Sequence, residues 1–439
     1  MIEASNKKGV TAMETLIGIG LVSVIVMTVY SSLIGAMNNA TESRKRTGAL
    51  ALANEKMEFI RNLEYNEIGT IQGIVPGLLY SSEKVSKNNC AYNIKTEVRY
   101  IDDLADGVAP FDLINNDYKQ VHVEVDWGVP EKSVSLYSVF VPNGLETNIH
   151  SGTLSINVID STGVPVPAVS VEIKSLDDNP IVDYATGTDD SGNLILPGVP
   201  SQHYRIFLSK SGYENVMTYP SPMTEDDFTP FDTDLFVAEA NLNTKTFFMD
   251  KSAELTLKAI DIETNEGIEN VSFDIKGGKK IGINPDTFNL DEIKSTDSSG
   301  NATFSNISSG EYLIENIDSL DTDNYAYVGT EERLPIQLHA EEIHESIFLF
   351  ADKNQNSLVV SVKDSIGEPL KNASVTLTDG VFNQTILTGE EGLVFFPQAP
   401  DILTAGSYEL SVSLDGYSDY NGNIEINDLV KESITLSLE

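Results

Sequence analysis

From Thr15 to Thr41 the chain runs 27 residues without a charged side chain. At a rise of about 1.5 Å per residue, a helix of that length outruns the roughly 30 Å hydrocarbon core of a bilayer, so the segment predicts a membrane-spanning helix. It is too long for the apolar region of a secretory signal, and no Ala-x-Ala cleavage site follows it. Basic residues flank both ends, Lys7 and Lys8 before it and Arg44, Lys45 and Arg46 after it, so the charge bias that normally orients a span is weak. One residue does not fit a plain anchor. Glu14 lies inside the apolar segment that begins at Val10, where burying an unpaired carboxylate costs several kcal/mol, and it therefore predicts a partner.

The 439 residues carry 28 Lys+Arg against 67 Asp+Glu, a formal charge of −39, which argues against a nucleic-acid binder. A 41% hydrophobic content is enough to build several cores, so the chain is not a disordered acidic polymer. The acidity is uneven: residues 1–60 sum to +1, and all of the excess lies beyond them. The single cysteine, Cys90, excludes an intramolecular disulfide and a cysteine zinc cluster, and five scattered histidines argue against a His-rich metal site.

The N-terminal pattern, a short polar leader ending in Lys7-Lys8-Gly9 and then an apolar helix from Val10 whose fifth residue is Glu14, resembles the class III signal of type IV prepilins and pseudopilins. The resemblance implies a leader over 1–9, cleavage after Gly9 by a membrane-embedded prepilin peptidase, and methylation of the new N-terminus at Val10. It further implies that Glu14 pairs with the N-terminal amine of a neighbouring subunit during assembly, as a carboxylate at the positive end of a helix dipole can. Val10 departs from the phenylalanine or methionine common at that position. Apolar residues at Leu50, Ala53, Met57, Ile60 and Leu63 recur at three- and four-residue spacing, so the helix is expected to run on over 10–63, with 10–37 spanning the membrane or forming a filament core. Glu55, Met57, Glu58 and Arg61 resemble a run found in minor pilins.

After a loop-like stretch, the segments Tyr92–Ile101, Lys119–Trp127 and Val134–Val141 alternate with period two. They predict a pilin-like β head over 64–147, in which the long helix packs on an antiparallel sheet to give an α+β N-terminal part. The connection between the first two strands holds Asp102, Asp103, Asp106, Asp112 and Asp117. Clustered hard oxygens could hold Ca²⁺, but the spacing is not that of an EF-hand, and Gly107 and Pro110 favour a solvated turn in which Asp makes local hydrogen bonds. No other cofactor is implied. Cys90 is expected to be a small buried apolar residue.

Beyond Gly144 the chain repeats itself. Leu154–Asp160, Leu255–Asp261 and Leu358–Asp364 are equivalent opening strands, and their closing aspartates are 101 and 103 residues apart. Each is followed by a second strand, a polar Thr-led turn at Thr188, Thr296 or Thr388, a strand tyrosine at Tyr204, Tyr312 or Tyr408, and a closing strand. About seven short strands per repeat predict three tandem all-β Greek-key sandwich domains, over 152–250, 253–352 and 356–439. The string Gly-x-Pro-Leu-x-x-Ala-x-Val, with the later Gly212-Tyr213 and Gly416-Tyr417, resembles carboxypeptidase regulatory-like, transthyretin-like modules, which are stalk and binding domains. The middle copy lacks the Gly-Tyr pair. A related collagen-adhesin module carries a Lys–Asn or Lys–Asp isopeptide crosslink promoted by a buried glutamate. Lys258 and Lys363 lie on opening strands here, but the first copy has Asn157 and the third has no matching glutamate.

No catalytic motif is present, and the spacing of His339 and His344 in a strand-like region predicts opposite faces and no shared metal, so the chain is not expected to be an enzyme. The expectation is a type IV pilin-like subunit that assembles through its N-terminal helix and displays the sandwiches for adhesion to a surface ligand of unread chemistry. Its partners would be other pilin subunits, the prepilin peptidase and a pilus assembly platform. It would sit in the inner or cytoplasmic membrane before assembly and in an extracellular filament afterwards. The alternatives are a membrane-anchored surface binding protein that never polymerises, and a minor pseudopilin of a secretion or DNA-uptake machine.

Overall fold

The computed structural model describes residues 12–103, 107, 116–128, 132–142, 150–177, 179–221, 228–317 and 320–439. Helix α1 spans Ala12–Arg61, 50 residues or about 75 Å. Its hydroxyl residues do not compete with the helix: Ser23, Thr28 and Thr41 donate to the carbonyls of Ile19, Val24 and Met37 four residues back, at 2.8, 2.8 and 2.9 Å. The helix ends where Asn62 and Leu63 close tight turns onto Phe59 and Ile60, with Arg61 at the negative end of the dipole.

Only the C-terminal turns of α1 are covered. Ala49, Leu52, Ala53, Met57 and Ile60 are buried, in a stripe of three- and four-residue steps. Leu50, expected in that stripe, is 43% exposed, because Ala49 lies four residues before Ala53 and takes the inward position. The stripe packs on a four-stranded antiparallel meander, β1 (Ser82–Lys87), β2 (Cys90–Ile101), β3 (Tyr118–Trp127) and β4 (Lys132–Phe140). The inward residues Ile94, Val98, Val121, Val123, Val125 and Trp127 are all buried. Strand β1 is an addition to the sequence expectation: Ser-Glu-Lys-Val-Ser-Lys is polar at nearly every position, since it forms the outer edge and half of it faces water. Cys90 opens β2 and is partly, not fully, buried against the core.

Among the described residues six further sheets follow, packed face to face in pairs around apolar cores. The first pair joins a sheet of Leu242–Phe248, Ser151–Ile159 and Asn193–Pro200 to one built on His203–Ser209 and Ser170–Ser175. The second and third pairs are built on Ala253–Asp261 with Ser272–Ile283, and on Ser357–Asp364 with Ser374–Thr378. In all three, the closing strand lies parallel to the opening strand, as in Ile159 beside Phe248, Asp261 beside Phe350 and Asp364 beside Leu436. Alternation cannot reveal that pairing, because inward and outward residues alternate alike in parallel and antiparallel strands.

The repeated sequence marks have repeated physical jobs. Tyr204, Tyr312 and Tyr408 donate their hydroxyls to carbonyls four residues upstream, at Pro200, Ser308 and Thr404 (2.9, 2.6 and 2.9 Å), which fixes the corner entering each strand. Thr188, Thr296 and Thr388 are buried, and each accepts the backbone N–H that opens the second strand, from Val169, Val271 and Ala373. Asp160, Asp261 and Asp364 accept backbone N–H groups two residues on and so form the turn after each opening strand.

Candidate assembly surface

Every residue from Ala12 to Thr41 is exposed. Leu16, Leu21, Val26 and Met37 are 60–72% exposed, so the segment presents apolar side chains on all sides. A helix that is apolar all round is stable only inside lipid or among other helices. Gly18, Gly20 and Gly35 have nothing within 4 Å of where a Cβ would stand, and such small residues are what lets helices approach closely in a membrane-like setting. Glu14 is in the first turn of this segment. Lys7, Lys8, Gly9 and Val10 lie outside the described residues.

The lower end of the exposed segment is tied to the sheet. Trp127 Nε1 donates to Glu42 at 2.9 Å, and Lys132 Nζ lies 3.1 Å from the same oxygen. Those two bonds hold the Glu42 carboxyl below its usual range. One turn on, Tyr92 donates its hydroxyl to the carbonyl of Lys45 at 3.1 Å, above Gly48, where a Cβ would collide with that hydroxyl at 2.5 Å.

A second anchor holds the loop after α1. Lys119 is 2% exposed, and its ammonium donates to the carbonyls of Tyr65 and Ile68 at 2.8 and 2.6 Å. It faces the rings of Tyr65 and Tyr100. Burial pushes Lys119 down to about 8. Burial, with the charge of Asp117, pushes Tyr65 up to about 12. The sequence carries the signal for this site, since Lys119 is in phase with Val121, Val123, Val125 and Trp127 on the inward face.

Of the aspartates considered for calcium, Asp102 and Asp103 begin the connection and Asp117 ends it, and Asp103 N donates to the Asp117 carboxylate. Asp106 and Asp112 lie outside the described residues. Among the described residues no group of three or more His, Cys, Asp or Glu side chains is arranged to hold a metal. His339 and His344 differ from expectation. His339 sits in a turn rather than on a strand, and both rings reach Glu342, at 3.0 and 3.4 Å, so they share a side of the chain. Lys258 Nζ lies 3.5 Å from Glu345.

The helix, the head sheet and the first sheet pair share one continuous apolar cluster. Tyr184 donates to Glu97 at 2.9 Å across that junction, and Asp183 N donates to the Gln72 carbonyl at 2.7 Å. Tyr100 packs so closely on Gly198 that a Cβ there would come within 2.2 Å of the ring. The second and third pairs meet through Val328, Ala351, Val359 and Phe395.

Residues 253–345 match the family described as SpaA, a prealbumin-like fold domain, which falls on the second sheet pair. No curated protein sequence matches the chain. Among solved structures the chain is similar to the Bacillus anthracis TIE protein, at 15% identity over 81% of this chain and 73% of that one, with a TM-score of 0.21. It is also similar to a streptococcal ancillary pilin, at 12% identity over 65% and 98% with a TM-score of 0.20. The full-length major pilin SpaD of Corynebacterium diphtheriae gives 11% over 66% and 98%, with a TM-score of 0.18. TM-scores of this size correspond to no common global superposition, and the sandwich assignment rests on the sheets themselves.

Proposed function

We propose that this chain is a non-enzymatic subunit of a cell-surface filament of the type IV pilin kind. Residues 1–9 are a leader removed after Gly9, and the exposed part of α1 passes from the membrane into the filament core. The sheet pairs are three tandem modules, over 152–250, 253–352 and 356–439, displayed outward for adhesion or surface contact. The observation that carries this reading is the division of α1: residues 12–41 are exposed and apolar, while Ala49–Ile60 are locked onto an antiparallel sheet. A membrane tether alone needs a span. It does not need a span continuous with a 50-residue helix that is docked rigidly to the domain it carries.

In this reading Glu14 supplies the attraction between subunits, because a carboxylate in an apolar core is stable only beside a cation. Replacing Glu14 by Ala is expected to leave the protein in the membrane fraction and remove it from sheared filaments. Filaments that still contain the Glu14→Ala protein, or cells in which the wild-type chain never leaves the membrane, would support a non-polymerising tether instead.

A further inference from the structure

Two of the places where the three sheet pairs depart from one another touch. The hairpin of the second strand is short in the first pair, 6 and 5 residues, and in the third, 5 and 5. In the second pair it is extended to 12 and 9 residues, Ser272–Ile283 and Thr287–Ser295. The other departure is in the first pair. Between His203–Ser209 and the closing strand the described residues include three two-residue strands, Thr229–Pro230 among them. The third pair has the single strand Tyr420–Ile426 at that place.

The extended hairpin reaches back, and the strap of the first pair is added to its sheet. Thr229 and Pro230 pair with Ile283 and Gly282, and Phe231 N donates to the Ile281 carbonyl at 3.0 Å. Gly282 is required at this crossing, since a Cβ would stand 2.2 Å from the Phe228 ring. At the centre of the joint Glu214 of the first pair is 2% exposed. Its carboxylate accepts from Lys279 Nζ of the hairpin at 2.8 Å, from Ser308 Oγ of the second pair, and from Asp250 N at 3.2 Å. Lys279 Nζ also donates to the Phe248 carbonyl at 2.6 Å.

Adjacent domains in one chain ordinarily move relative to one another unless their interface is extensive, and a buried charge that has lost its partner is strongly unfavourable. Both arguments point the same way here. We infer that the first and second sheet pairs form one rigid body, locked by the Glu214–Lys279 pair and by the strap laid on the extended hairpin. The device belongs to these two modules only, because the third has neither insertion. It holds whether or not the chain polymerises.

The test uses the full chain in detergent, with spin labels at the equivalent exposed turns Asp190→Cys and Ser298→Cys in a Cys90→Ser background. The unmodified joint is expected to give one narrow distance distribution. Shortening the 272–295 hairpin to the length found in the third pair should broaden it about twofold or more, as for freely jointed domains. Gly282→Val, which expels the strap without shortening anything, and Glu214→Gln should broaden it as well. Hydrogen exchange of strands 170–175 and 253–261 serves as the control that both modules remain folded. A broad distribution in the unmodified joint, or a narrow one retained when the hairpin is shortened and in Gly282→Val, overturns the inference.

Discussion

Trp127 Nε1 donates to Glu42 Oε1 at 2.9 Å across 85 residues of sequence, at the point where the exposed half of α1 ends and the docked half begins. The bond joins the chain's single tryptophan, at the end of β3, to the first helical residue that is not fully exposed after the apolar run. Removing the indole donor while keeping an aromatic ring, as in Trp127→Phe, is expected to cost about 1–2 kcal/mol. Denaturant unfolding of the full chain in detergent measures it. In a Glu42→Gln background the same change should cost less, because the charged acceptor is gone; equal costs in the two backgrounds would refute the coupling.

Lys119 gives the head a pH dependence of predictable sign. Below about pH 8 its ammonium is protonated in folded and unfolded chains alike. Between about 8 and its ordinary 10.5 the unfolded chain holds a proton that the folded chain has released, so stability rises with pH, by a total on the order of 3 kcal/mol. Tyr65 acts in the opposite direction above pH 10, where the folded chain keeps a phenolic proton that the unfolded chain has lost. Stability measured from pH 7.5 to 9.5 should therefore climb, and Lys119→Met should flatten the climb while lowering stability throughout, since two carbonyls lose their donor. A flat wild-type profile would contradict the burial of a charged lysine.

The strand tyrosines offer a comparison within one chain. Tyr204→Phe and Tyr408→Phe each remove the bond to the carbonyl four residues back, together with the bond the hydroxyl accepts from Gln202 Nε2 or from Thr404 N, and should cost about 1–2 kcal/mol. Tyr312→Phe should cost more and should also loosen the first joint, because its acceptor belongs to Ser308, whose hydroxyl holds Glu214. Equal losses at all three positions would separate the corner from the joint.

The elements that alternate or recur were readable from residues alone. The long helix, the head strands β2 to β4 and the repeated openings all turn one face toward a core, and that imposes a period. What escaped has no period to betray it. Strand β1 is a polar edge, and the parallel pairing of opening and closing strands depends on chain topology rather than on which residues face inward. Glu214 follows Gly212-Tyr213 in an acidic chain and looks like any surface carboxylate until the neighbouring module covers it. Lys119 is the instructive case, since its inward phase was visible and only its charge argued for the solvent side. The candidate assembly surface is legible as an uncharged run preceded by one misplaced carboxylate, because lipid and water make opposite demands on such a sequence.

The N-terminus of the mature protein decides the central claim. Mass spectrometry of the N-terminal peptide from membranes or sheared filaments is expected to show a chain that begins at Val10 and carries one added methyl group. A peptide that still begins at Met1, or that retains Lys7-Lys8-Gly9, would contradict assembly as a type IV pilin-like subunit.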